Sequence, residues 1–269
     1  MNFINKSAEE LKKFGEEQQS AYLHADPFPS IYFNDFFNAP RLKEVLEEFP
    51  DLTKGADLKF NDANQVKLAS KGEYRFGAHT KAFMHFLNSQ PFLEFLSALT
   101  GIENLIPDPY FDGGGCHQIQ RGGMLKIHAD FNKHPKTKLD RRLNVLVYLN
   151  EDWKEEYGGH FELWDKEMKG CRTRILPLFN RMAIFSTTSD SYHGNPNPLT
   201  CPEDRTRRSL ALYYYTNGRP EEEIVAGMED HNTVFKFRNE DKKSRIATKI
   251  KDTVKLFTPP IITHGFGKK

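Results

Sequence analysis

The chain has 269 residues, of which 38% are hydrophobic, and a formal net charge of +1. That is enough apolar material for one core with elaborations, and the near-cancelled charge argues against a general nucleic-acid or membrane footprint. Three cysteines, Cys116, Cys171 and Cys201, are odd in number and widely spaced, which excludes a disulfide framework or a paired-cysteine zinc pattern and favours a reducing compartment.

In chain order, the first stretch, MNFINKSAEELKKF, is polar and helical rather than a signal sequence. Ser7 and Glu10 form a capping box that opens a helix. No apolar run approaches the length of a membrane span. The expectation is a soluble, cytoplasmic protein without nucleic-acid or membrane partners. Pro27–Phe37 reads as an extended segment, and Ala39–Phe49 as a helix with Leu42, Val45, Leu46 and Phe49 at helical spacing. Residues 51–76 are polar and irregular, and read as a loop or lid. Two helices follow, one through Thr80–Leu87 and one from Pro91, a favoured first-turn residue, to Gly101.

From Gly113 the texture changes to short strand-like runs separated by Gly, Pro and Asn. They are placed near 116–121, 124–129, 142–149, 160–164, 172–177, 181–186, 191–194 and 207–215. Short strands with such turns predict a mainly β fold with flanking helices, a double-stranded β-helix of the jelly-roll or cupin type. Three regions are expected: 1–112 as a helical segment packed on the barrel, 113–219 as the barrel, and 220–269 as a charged helical extension. Asp241–Leu256 reads as a basic amphipathic helix, more a docking element than a nucleic-acid arm.

The chemistry gathers around His128-Ala129-Asp130. On a strand, residues i and i+2 point to one face, so an imidazole and a carboxylate stand side by side. A distal His193 would complete two histidines and one carboxylate on one face of an octahedron, the arrangement suited to non-haem Fe(II). The same three letters at His24-Ala25-Asp26 act as an internal control. That copy precedes Pro27-Phe28-Pro29, lacks the downstream context and reads as a loop.

Beyond His128 the chain gives NKHPKTKLDRR, then VYLNEDW, then Gly158-Gly159, then His193, then Arg207-Arg208-Ser209-Leu210 on a final strand. This ordered set, over about residues 113–217, resembles the Fe(II)- and 2-oxoglutarate-dependent dioxygenases, and within them the prolyl-4-hydroxylase-like branch. The resemblance implies Fe(II) held by His128, Asp130 and His193, with 2-oxoglutarate and dioxygen as cosubstrates and ascorbate a further candidate. It implies hydroxylation of a C–H bond with release of succinate and carbon dioxide. Asp130 argues against halogenation, which leaves the carboxylate position free for halide.

The family needs a basic residue beyond the second histidine for the far carboxylate of 2-oxoglutarate, and an arginine fork suits it. Arg205, Arg207 and Arg208 are the candidates. Arg207 shares a strand face with Ser209, Ala211 and Tyr213, and Arg208 shares the other with Leu210, Leu212 and Tyr214. Arg207 is preferred, with Arg208 its rival, although the interval from His193 is long and includes a Pro-rich insertion at 196–204. Tyr148 matches a tyrosine that reaches the cosubstrate in related enzymes, and reads equally as a core aromatic. Asn144 shares its face and is a weaker candidate, and Gln118 and Gln120 lie on a wall of such pockets. His117, His134 and His160 read as structural, and 133–142 as a solvated loop. Together with 51–76, the 131–142 segment is expected to shape the substrate cleft. The substrate is a peptidyl or amino-acid group or a small metabolite. Two alternatives stand beside this reading: a non-oxidative cupin-type metal enzyme, hydrolase or isomerase, which could use zinc, and a non-catalytic binding barrel.

Overall fold

In the computed structural model, which describes residues 3–224 and 230–241, helices dominate the first hundred residues. The Ser7 hydroxyl accepts from the Glu10 N–H at 3.2 Å while the Glu10 carboxylate accepts from the Ser7 N–H at 2.7 Å. This box opens α1 (Ala8–Leu23). After β1 (Ser30–Phe33), Asn38 caps α2 (Ala39–Glu47), which carries Pro40 in its first turn.

Residues 51–76 are not a simple loop. They contain α3 (Leu52–Gly55) and a hairpin of β2 (Leu58–Asn61) and β3 (Gln65–Ala69). The Asp62 carboxylate closes the hairpin by accepting from the N–H groups of Asn64 and Gln65, at 2.8 and 3.1 Å. The hairpin stays ordered because β3 pairs onward with two strands of the barrel. Then come α4 (Ala78–Leu87) and α5 (Gln90–Thr100). Helix α5 stops at Gly101, whose φ of 72° is a left-handed turn that glycine adopts without strain.

The barrel strands are β4 (Ile106–Pro107), β5 (Gly115–Ile119), β6 (Met124–Ala129), β7 (Asp140–Tyr148), β8 (Phe161–Trp164), β9 (Cys171–Ile175), β10 (Arg181–Ser186), β11 (His193–Asn195) and β12 (Arg207–Thr216). The main path runs β1-β10-β7-β12-β5-β3-β6-β11-β8-β9, and all the described pairings are antiparallel. The sheet curls on itself, so that Phe185 of β10 lies 4.6 Å, ring to ring, from His193 of β11. The result is the nearly closed double-stranded β-helix expected from the strand pattern.

Alternation along β12 separates its two faces. Leu210, Leu212 and Tyr214 join Phe83, Phe92 and Phe95 in the main buried cluster between sheet and helices, and the Tyr214 hydroxyl donates to the Leu87 carbonyl at 2.8 Å. Ser209 and Tyr213 face the interior cavity with Arg207. A last strand, β13 (Val234–Phe235), pairs with β6 opposite Ala129 and His128. Asp241 beyond it holds the Lys126 ammonium at 2.6 Å, with both side chains buried. The helix expected over Asp241–Leu256 lies outside the described residues but for Asp241. No helix among those residues is long and apolar enough to cross a membrane.

Candidate metal centre and its cavity

His128 and His193 face each other directly across β6 and β11. Asp130 follows two residues after His128 and, by strand alternation, returns to the same face. Ligand atoms of His128, Asp130 and His193 lie within 4.8 Å of one another. The His128 Nε2 is 3.5 Å from Asp130 Oδ1, and the His193 Nε2 is 3.3 Å from Asp130 Oδ2. Each Nδ1 is 2.8 Å from a backbone carbonyl, that of Lys126 for His128 and of Ser191 for His193. A carbonyl can only accept, so each Nδ1 donates, and each neutral ring turns its Nε2 lone pair inward. His24, in the other His-Ala-Asp, caps the end of α1 with its Nδ1 2.8 Å from the Ser20 carbonyl, far from any such cluster.

Electrostatics keep His128 and Asp130 in ligand form. Burial lowers the His128 pKa, and the neighbouring His193 adds to this against the opposing Asp130. Burial alone would raise the Asp130 pKa. The Arg141 charge and the two imidazoles outweigh it and hold this carboxyl well below the usual range. Arg141 Nη2 is 3.0 Å from Asp130 Oδ2, its Nε donates to Asn144 Oδ1 at 2.9 Å, and its guanidinium lies 3.4 Å above the Tyr213 ring. Asn144 in turn donates to Asp130 Oδ2 at 2.7 Å. Asn144 therefore braces Asp130 and also lines the cavity beside it. The 133–142 stretch is not wholly a solvated loop either. Its end enters β7, and Arg141 is only 1% exposed because the barrel has a carboxylate and two aromatic rings waiting for it.

A small cavity of about 70 Å³ opens from this centre. Arg207 sits at its deep end, 5% exposed, with Nε donating to the Gly159 carbonyl at 2.8 Å. A side chain at Gly159 would place Cβ 2.9 Å from Arg207 Cδ and 2.6 Å from a Leu199 methyl, so glycine is what allows this approach. Among the described residues no carboxylate lies within ion-pair distance of Arg207. The Tyr148 ring is 5.0 Å from its guanidinium, and the Tyr148 hydroxyl is buried without a hydrogen-bond partner among the described residues. Burial raises the Tyr148 pKa, against the pull of Arg207. Arg208 points the other way, over the Phe49 ring at 5.6 Å, and Arg205 reaches the Glu151 carbonyl outside the barrel.

The wall on β5 is not the one expected. Gln118 faces outward, accepting from the Leu52 N–H at 2.8 Å and donating to the Thr206 hydroxyl at 3.0 Å. The inward residues are its neighbours His117 and Ile119. Gln120 lies just past the end of β5, outside the cavity lining. His117 thus lines the cavity, while His134 is buried beside Asp108 and His160 Nε2 lies 2.8 Å from the Glu155 carboxylate. Sequence reasoning also missed Lys67 on β3 and Asn195 on β11. Asn195 lines the cavity just beyond His193, across a register shift between β11 and β6, and its buried Nδ2 has no partner among the described residues. Strand alternation gave no signal for it across that shift.

Comparison with known proteins fits this architecture. The model of the 2OG-Fe(II) oxygenase superfamily matches residues 114–215. The prolyl 3,4-dihydroxylase OGFOD1 of Ostreococcus tauri is 26% identical over 77% of this chain, and this chain spans 41% of that relative's length. A prolyl hydroxylase of Trichoplax adhaerens, solved with a peptide fragment of the hypoxia inducible factor oxygen degradation domain, superimposes with a TM-score of 0.56 at 18% identity. The match covers 78% of this chain and 94% of that one. A Pseudomonas putida prolyl-4-hydroxylase gives a TM-score of 0.55 at 15% identity, over 76% of this chain and 100% of its own. The barrel, the His-Asp-His face and the family match agree: over residues 114–215 the chain is similar to the 2OG-Fe(II) oxygenase superfamily.

Proposed function

We propose that this chain is an Fe(II)- and 2-oxoglutarate-dependent dioxygenase that hydroxylates a C–H bond, with peptidyl proline the first substrate class to test and amino acids or small metabolites next. The observation that carries the reading is the His128–Asp130–His193 face. Two inward Nε2 lone pairs and one ionised carboxylate open onto a cavity that ends in a buried arginine with no described carboxylate partner. The donor set fits non-haem iron, with one side of the metal left to ligands. When bound, iron would supply, with 2-oxoglutarate and dioxygen, the oxidative decarboxylation that yields succinate and carbon dioxide, one oxygen atom going to succinate and the other to the substrate.

The chain's own residues supply geometry and charge. His128, Asp130 and His193 would hold the metal, with Arg141 and Asn144 fixing the Asp130 carboxylate. Arg207 would take the far carboxylate of 2-oxoglutarate on its terminal nitrogens, since its Nε already donates to Gly159. Tyr148 and Ser209 flank that position, and the unpartnered Tyr148 hydroxyl has a hydrogen bond to offer there. Phe161 and Phe185 close the metal side with apolar surface that limits water. Prolyl substrates are suggested by the relatives, which are prolyl hydroxylases by name. A non-oxidative metal enzyme would have no use for the buried Arg207.

The test is ligand linkage. Nickel(II) and 2-oxoglutarate added together should raise the melting temperature more than either alone, because both bind only the folded barrel. A binding barrel without this chemistry predicts no shift from the pair, and a zinc hydrolase predicts a shift from metal but none from 2-oxoglutarate.

A further inference from the structure

Lys67 stands in the metal cavity and lies outside the 114–215 segment matched by the family. Its place follows from register. Leu68 pairs with Gln118, so Lys67 and Ile119 face each other across β3 and β5, and Ile119 in turn pairs with Arg207 on β12. Strands spaced at about 4.8 Å put Lys67 and Arg207 roughly 10 Å apart on one inward row. The two differ in depth. Arg207 is 5% exposed, whereas Lys67 is half-buried on a hairpin at the rim.

The ammonium has no carboxylate within ion-pair distance among the described residues. Its described partner is the Phe60 ring on β2, 5.1 Å away. Desolvation pushes its pKa down to about 8; Arg141 and Arg207 push the same way, and Asp130 opposes them. The cavity's other charges have counterparts. Asp130 is matched by Arg141, and a divalent metal would match the two carboxylates of 2-oxoglutarate. Lys67 and Arg207 then remain as excess positive charge, and a desolvated ammonium is costly until an anion meets it. Arg207, the more buried of the two, suits the cosubstrate, which leaves Lys67 for the substrate.

We propose that Lys67 is a substrate-recognition residue that binds a carboxylate of the substrate at the cavity mouth. The assignment rests on the oxygenase reading and narrows it to acidic substrates, bearing either a free α-carboxylate or an acidic side chain next to the oxidised residue.

The experiment uses the full chain loaded with zinc(II) and N-oxalylglycine, a non-reacting analogue of the cosubstrate, with lysines labelled with carbon-13 at Cε. Lys67→Met identifies the Lys67 signal by its loss. Acetate should displace that signal saturably in the millimolar range while acetamide leaves it in place. Two further arms separate the sources: free L-proline carries an α-carboxylate, and the acetylated, amidated tripeptide Glu-Pro-Gly carries a side-chain carboxylate alone. Whichever displaces the signal at lower concentration than acetate names the source. A Lys67 signal that ignores acetate, follows acetamide equally, or moves on N-oxalylglycine addition and no further would overturn the proposal. The oxygenase reading is reported separately, by the changes of the His128 and His193 ring signals on loading.

Discussion

Replacing Arg141 with methionine separates the metal account from a merely structural one. Arg141 and Asp130 are a buried pair, with side chains 1% and 13% exposed and 3.0 Å between Nη2 and Oδ2. Removing one partner of such a pair costs about 3–5 kcal/mol, since the other charge stays buried and uncompensated. At roughly 2–4 °C per kcal/mol for a domain of this size, the midpoint in EDTA should fall by about 6–20 °C. Part of that loss is packing against Tyr213 and Phe131, and it persists whatever is bound. The electrostatic part does not persist, because a divalent ion on Asp130 replaces the missing positive charge. Nickel(II) should therefore raise the melting temperature of Arg141→Met several degrees more than that of the wild type. Scanning calorimetry on both proteins, with EDTA and with nickel(II), measures the two shifts. Equal nickel(II) shifts would refute the reasoning, because Asp130 would then not be carrying the ion, and so would an unchanged midpoint in EDTA.

Arg207→Met should weaken 2-oxoglutarate binding to the nickel(II) protein about 100-fold, the loss of two charge-assisted hydrogen bonds. Arg208→Met should leave it within a factor of two or so, and calorimetric titration giving the reverse ranking would move the cosubstrate to the outer face of β12. Asn195→Ala should cost about 5- to 10-fold in the same titration if its unpartnered Nδ2 meets the cosubstrate, and equal affinity would make Asn195 a bystander. Burial, helped by the Lys67 charge, pushes His117 down to about 3, while the unfolded residue protonates near 6.5. Between those values the unfolded chain binds the extra proton, so stability falls as pH drops through that window. His117→Gln should flatten the acid limb of a urea-midpoint profile, and an unchanged limb would locate acid sensitivity elsewhere.

Much of the metal centre was legible because it depends on rules local to a strand. His128 and Asp130 share a face by the period of two, and the order of Tyr148, Gly159, His193 and Arg207 along the chain carried the family pattern. Alternation also separated Arg207 from Arg208. What escaped depends on register between strands, which a single sequence does not carry. Whether Gln118 or His117 faces inward on β5 is settled by pairing with β3 and β12, and the two readings differ by one residue. Lys67 was hidden by its setting, since a polar hairpin sealed by Asp62 reads as a loop until β5 and β6 provide its partners. Arg141 was misjudged because a basic run looks solvated until a buried carboxylate appears opposite it. The pairing of β13 with β6 had no motif at all, since the ladder and the Lys126–Asp241 pair that hold it form only in three dimensions.

The central claim, that His128, Asp130 and His193 hold an iron that turns over 2-oxoglutarate, is tested most directly by succinate release. The full chain is incubated with Fe(II), ascorbate and 2-oxoglutarate, with and without proline-containing acidic peptides, beside His193→Ala. The account predicts iron-dependent succinate from the wild type, increased by a peptide that fits, and none above background from His193→Ala. Succinate undiminished in His193→Ala, or none from a wild-type protein that binds both iron and 2-oxoglutarate with such a peptide present, would contradict it.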